Sequence, residues 1–332
     1  ANWKVQISFV AGALVVATTY GTCTVEPNVE AVEEAVEEAV EAEPAATTET
    51  RTDPKTQATI YIFQAAANKT YAIYINGTLR ATTTTNTNTS EATALEGTDE
   101  IATALKNALV TAGYTATTEN SAVCISGLST TDKVEVTEGY GGRSMRVFKD
   151  EIQEFSKLPP QDVDNRLVKI KGDIEESGDD YWVFYLDNVW TETVGYNSGR
   201  ELTASTMPHI LTRNSDGTFT FDRDTWATRI SGDDNTNSDP SFVGNKINDI
   251  FLHKGRMGFL SGENVIFSEN QEFENFWRTT TVQLLDTERI DVASTTNRVS
   301  TLYHAIPYNR TLMLFSEKIM YIRINLNLFF LK

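Results

Sequence analysis

Asp233, Asn235, Asn237 and Asp239 present oxygen donors at every second residue, the spacing with which a calcium loop surrounds its ion. The glycine such a loop needs at its sixth position is Ser238, and the bidentate acid expected at its twelfth is Gly244. A polar loop is therefore the favoured reading, and these four are weak metal candidates. Asp286, Glu288 and Asp291 suggest a second chemistry, since two carboxyl groups about 5–10 Å apart are what glycoside hydrolysis needs. In a chain with 46 Asp and Glu, however, such groupings arise by chance. The three histidines, His209, His253 and His304, fit no metal-binding spacing and read as structural. Gly258 and Ser261 miss the spacing of a nucleophile elbow, and no Gly-Lys-Ser/Thr phosphate cradle occurs. Cys23 and Cys124 make neither a disulfide framework nor a Cys-x-x-Cys site, so both read as inert thiols. The expectation is a protein without catalytic residues or cofactor, not an enzyme.

The elements that hold these residues are short. From Thr206 to Asp291 the apolar or alternating runs HILTR, GTFTF, INDIFLH, MGFLSG and ENVIFS are separated by Asp, Asn, Gly, Ser and Pro, which leaves little room for helices. The expected fold is mainly β and multi-domain, with short antiparallel strands in a propeller-like or sandwich core and a small inserted α+β module. Three segments are expected. Residues 1–54 hold strands, then an acidic stretch in which Val29, Val32, Val36 and Val40 recur at helical spacing with no Lys or Arg from Val25 to Thr50. That stretch reads either as a docking helix or as a solvated linker, the linker being favoured. Residues 55–145 form the α+β module: strands at TIYIF, TYAIYI, TATT, AVCIS and KVEVT, a turn at Asn76-Gly77, and a helix capped by Thr98 with Ile101, Leu105 and Leu109 on its inner face and Gly113 as its stop. Residues 146–332 form the β-rich core, in which VKIKG and YWVFYLDNVWTET are hairpin strands with one buried aromatic face and Trp190, Trp226 and Trp277 each close a strand-rich unit.

The run Ile7 to Ala17 is too short to span a bilayer, and a buried strand or packed helix suits it better than a signal peptide. With 28 Lys and Arg, the net charge is -18 and the pI near 4.6, a balance that disfavours gripping a nucleic-acid backbone.

The order of words in the central stretch resembles the tail tubular protein B family of short-tailed bacteriophages, the proteins of the tail nozzle. The resemblance rests on Met207-Pro208-His209, Arg213, Asp216-Gly217-Thr218-Phe219, Trp226 with Arg229, Gly232-Asp233, Pro240 to Gly244 including Phe242, Gly255-Arg256 with Gly258-Phe259, Phe276-Trp277 and Ile290-Asp291. What it implies is a virion tail protein, assembled in the host cytoplasm, that forms a six-fold homo-oligomeric ring. That ring would stack beneath an adaptor ring of tail tubular protein A, dock tail fibres and pass genomic DNA through its channel without sequence-specific binding or a membrane span. Two rivals remain open, a tail-associated glycan hydrolase and a secreted β-rich adhesin. The interface residues expected are the polar loops Asp233 to Ser241 and Asn270 to Asn275 and the acidic stretch Glu30 to Glu43. The wording departs from the family near Tyr321 and ends in the apolar INLNLFFLK, which reads as a truncated or frameshifted end or as a strand covered by a neighbouring chain.

Overall fold

A computed structural model describes residues 51–86, 97–172, 180–294, 300–308 and 311–316, and the backbone of short strands at 7–10, 13–16, 44–46 and 320–321. The acidic stretch from Val29 to Val40 and the tail from 322 onwards lie outside the described residues. The protein is mainly β, built from small sheets, with one α-helix among the described residues.

Near the N-terminus, β1 (Ile7–Val10) and β2 (Ala13–Val16) pair antiparallel as two of the expected strands, and β3 (Pro44–Ala46) joins a strand far along the chain, described below. Then come β4 (Ala58–Ile62), β5 (Thr70–Ile75), β6 (Thr78–Thr84), α1 (Thr98–Thr111), β7 (Thr115–Glu119), β8 (Ala122–Ser126), β9 (Val134–Glu138) and β10 (Met145–Phe148). They make two sheets, ordered β10-β4-β8-β7 and β6-β5-β9, that share one core with α1. Helical periodicity explains its inner face: Ile101, Ala102, Leu105 and Leu109 are buried. One local expectation fails. Gly97, in extended conformation, is the N-cap and Thr98 is already helical, its hydroxyl turned to Asp99 instead of a backbone N–H. Asn76-Gly77 is the expected turn, with both residues at positive φ as a tight two-residue hairpin requires.

The next sheet follows chain order: β11 (Glu151–Ile152), β12 (Arg166–Ile170), β13 (Tyr181–Leu186) and β14 (Val189–Thr193), with β11 parallel to β12 and the rest antiparallel. Register puts Val183, Tyr185 and Trp190 on the side of Val168 and Ile170, the expected aromatic face, while Trp182 points to the other side. After β15 (Arg200–Leu202), which pairs with β3, the ribbon β16 (His209–Arg213) and β17 (Phe219–Arg223) stands as a sheet of two strands.

Then β18 (Asp249–His253), β19 (Arg256–Ser261), β20 (Asn264–Phe267) and β21 (Ile290–Ala293) form an antiparallel meander in chain order, followed by β22 (Leu302–Tyr308), β23 (Thr311–Ser316) and β24 (Met320–Tyr321). The meander is a middle layer. Phe251, Leu260, Val265, Phe267 and Ile290 face β22 and β23, while Phe259 and Ile266 face Trp226, Phe242, Phe276 and Trp277. Burial on both faces explains why β19 and β20 read as almost continuous apolar runs instead of alternating ones. Trp226 and Trp277 therefore share one core and do not close separate units; only Trp190 stands apart, against the sheet of β11–β14.

Candidate assembly scaffold and interface

The sequence Ser231-Gly-Asp-Asp-Asn-Thr-Asn237 folds on its own polar groups. Gly232 sits at φ +72, and a Cβ there would lie 2.6 Å from Thr281 Cγ2, so glycine is needed for both its backbone conformation and its lack of a side chain. The carboxylate of Asp233 then accepts from the backbone N–H groups of Asn235 at 3.0 Å and Thr236 at 3.2 Å, as short acidic side chains do in turns. Its second oxygen accepts from Trp182 Nε1 at 3.0 Å and lies 3.5 Å from Lys169 Nζ, which also pairs with Asp180 at 3.0 Å. Burial alone would raise the Asp233 pKa, but the hydrogen bonds from Trp182 and Asn235 and the charge of Lys169 outweigh it, so the group stays ionised below the ordinary carboxylate range. Trp182 can reach it because residue 195 is glycine: a Cβ there would fall 2.7 Å from the indole nitrogen.

Deeper in, Asn237 is buried and fully used. Its Nδ2 donates to the carbonyls of Ser231 at 2.9 Å and Arg278 at 3.0 Å, and its Oδ1 accepts from the Arg278 N–H at 3.0 Å. Arg229 is also buried, donating to the carbonyls of Ser198 and Asn237 at 2.8 Å each and to Asp234 at 2.6 Å, with its guanidinium 5.6 Å from the Trp277 ring centre. Arg278 holds Glu288 at 2.9 Å; burial nonetheless pushes the Glu288 pKa up. Glu192, on β14, accepts from the backbone N–H and hydroxyl of Thr281 and the hydroxyl of Thr280. These contacts form a buried polar seam that ties the sheet of β11–β14 to the aromatic core, and Arg256 extends it by donating to the carbonyls of Ser268, Asp286 and Glu288. A buried seam in which most polar groups are paired, Glu288 Oε1 excepted, favours one arrangement of its parts.

The same contacts occupy much of the calcium-like spacing. Asp233 and Asn237 spend their oxygens on protein donors, Asp239 lies 4.0 Å from Arg200, and among the described residues no group of three or more His, Cys, Asp or Glu is placed to hold an ion. The loop from Asp233 to Ser241 is only partly a polar surface: Asp233, Asn237 and Pro240 are buried, while Asp234, Asn235 and Ser238 are exposed. Asn270 to Asn275 folds back in the same way: the N–H groups of Asn270 and Gln271 reach the carbonyls of Thr287 and Gly255. Of the three acids considered for glycan cleavage, Glu288 is paired with Arg278 and Asp291 accepts from Ser241 N and Asn264 Nδ2, which leaves Asp286 alone in solvent.

The residues that carried the family resemblance fall into two places. Trp226, Arg229, Gly232, Asp233, Phe242, Arg256, Gly258, Phe259 and Trp277 build the seam and the aromatic core, with Asp291 on β21 and Gly244 in a turn beside them. Pro208, His209, Arg213 and Gly217 belong instead to the ribbon, where the imidazole of His209 stacks on Phe221 at 5.2 Å and Gly217 turns the chain at φ +87. The partners of Asp233 across the seam, Trp182 and Lys169, went unread, because nothing in a strand's alternation names what its outer face will meet.

Apolar side chains left in solvent mark the surfaces. On β18, Ile250 and Leu252 are 48% and 61% exposed, although register places Ile250 on the same face as Phe259 and Ile266 of the aromatic core. Among the described strands β18 has a backbone ladder only with β19, and β22 approaches it through the Ala305 N–H, which donates to Asp249 Oδ2 at 2.8 Å, while Ile250 and Leu252 stay in solvent. Val282 and Leu284, and Ile306 and Tyr308 on β22, are also exposed. No helix among the described residues is long and apolar enough to cross a membrane.

A family model described as bacteriophage nozzle protein matches residues 29–321. Tail tubular protein gp12 of Escherichia phage T7 is 40% identical over 193 residues, which cover 58% of this chain and 24% of that protein. The chain thus spans about a quarter of the relative it matches.

Proposed function

The chain belongs to the bacteriophage nozzle protein family, and from that premise we propose that it is a structural part of a short phage tail, located in the virion, where it helps form the nozzle through which DNA leaves. The family match over residues 29–321 carries this reading. Two physical features support it. The buried seam of Asp233, Asn237, Arg229 and Arg278 makes a stiff body of several small sheets, as a part that must keep its shape under load requires. The open, apolar edge of β18 supplies a surface that a second copy would cover.

The proposed assembly is a ring of about six copies, the order the family resemblance implies, closed by head-to-tail contacts that use different surfaces of each copy. Ile250 and Leu252 lie in that contact. The adaptor ring and the fibres dock on other faces, and an acidic surface lets DNA slide without adhering. The role is mechanical and needs no catalytic group. Negative-stain images of the purified particle test the ring: a closed annulus with a central hole is expected, and a field of single compact particles would refute it.

A further inference from the structure

Among the strands whose side chains are described, the ribbon of β16 and β17 is the least buried pair, yet it is far from polar. Its register pairs His209 with Arg223, Leu211 with Phe221 and Arg213 with Phe219, so these six side chains share one face. Leu211 and Phe219 are 38% and 41% exposed, and both guanidiniums are exposed, with no ion pair or side-chain hydrogen bond among the described residues. Asp222 lies on the opposite face, and the carboxylate of Asp216 at the turn is used by Thr218. The result is a cationic and apolar face on a chain of net charge -18.

A segment of complementary chemistry is tethered next to it. From Glu26 to Glu43 the sequence carries eight glutamates, no Lys or Arg, and the stripe Val29, Val32, Val36 and Val40. Its end is fixed in space, because Pro44 on β3 pairs with Leu202 on β15, and only residues 203–208 separate Leu202 from the ribbon. Wound as a helix, Val29 to Val40 would span about 17 Å. The five paired residues of the ribbon span about the same length. So short a tether keeps the local concentration of the segment in the millimolar range.

We propose that the acidic segment 26–43 docks in cis on the cationic face of the β16–β17 ribbon, its valines against Leu211 and Phe219 and its glutamates against Arg213 and Arg223. This goes beyond the nozzle reading and does not depend on it. Docking answers two problems at once: the segment gains the cations that its own sequence lacks, and the ribbon loses its exposed apolar face.

Zero-length cross-linking tests the contact. In the full chain carrying Arg213→Lys and Arg223→Lys, a carbodiimide should join ribbon lysines to Glu30–Glu41, and a mixture of 15N-labelled and unlabelled chains should show those links within one chain. The pair Lys171–Glu151, at 3.2 Å, is the internal control. Control links without ribbon links would overturn the proposal, and ribbon links found only between chains would overturn docking in cis. In a second measurement, a Glu-specific protease should cut within residues 26–43 about three- to tenfold faster in an Arg213→Glu, Arg223→Glu double variant, the change expected on losing two exposed ion pairs. Equal rates would count against the contact.

Discussion

Replacing Asp233 by asparagine changes almost no volume but removes the charge that joins two parts of the fold. One oxygen of the new amide can still accept from Asn235 and Thr236, so the turn survives. The amide nitrogen, however, takes the place of the oxygen that faces Trp182 Nε1 at 3.0 Å and Lys169 Nζ at 3.5 Å, setting donor against donor. The loss is one hydrogen bond to a charged group plus a half-buried indole N–H left without a partner, together ~2–3 kcal/mol. For a unit of this size that is a fall in Tm of roughly 5–10 °C. The pH dependence carries the sharper test. The pKa of Asp233 in the fold lies below its ordinary value of 3.8, so its contribution is complete above that pH and disappears as pH falls through the folded value. Urea unfolding curves of wild type and Asp233→Asn should therefore differ at pH 7 and draw together as pH falls below 3.8. A double-mutant cycle with Trp182→Phe should return a coupling of about 1–2 kcal/mol. A gap that stays constant with pH, or additive effects in the cycle, would refute the seam as drawn.

Gly258→Ala should destabilise by ~1–3 kcal/mol or more, because a Cβ there would lie 2.3 Å from Phe251 Cζ in the middle of β19; adding Phe251→Leu should recover part of the loss in the same unfolding assay. Leu105→Ala, at a fully buried position of α1, should cost ~2–5 kcal/mol, seen as a shift in urea midpoint with little change in slope. Burial, reinforced by the Asp162 carboxylate to which the thiol donates at 2.9 Å, pushes the pKa of Cys124 far above the ordinary range. Peptide mapping should accordingly find Cys124 unmodified by iodoacetamide at pH 8 in the folded chain and alkylated once urea unfolds it.

The fold was legible wherever one periodicity decided the structure. Alternation located β4, β5, β12 and β13, and the spacing of Ile101, Leu105 and Leu109 located α1. The cap of that helix was misread, because a threonine followed by two acids is an equally good first turn, and the difference lies in one residue's backbone angles. The calcium-like spacing of Asp233 to Asp239 also serves turn formation: Asp233 and Asn237 take up Trp182 and Arg278, which arrive from elsewhere. Those partners are 51 and 41 residues away from the groups they bind, Asp233 and Asn237, and no local signal announces them. Trp226 and Trp277 meet in one core for the same reason, since strand patterns say which face is apolar and not which other face covers it. The ordered words from Pro208 to Asp291 pointed to the family because order and spacing over a long stretch carry information that single turns do not.

Native mass spectrometry of the chain beside its Ile250→Asp, Leu252→Asp variant tests the ring most directly. Placing two carboxylates on the open edge of β18 leaves the cores untouched, so both chains should unfold at similar urea concentrations. A six-membered ring closed through this edge gives a particle of about six times the 36.9 kDa chain mass for the first and a monomer for the second. A first chain that stays monomeric would contradict the nozzle ring, and a variant that still forms the ring would remove the edge of β18 from its interface.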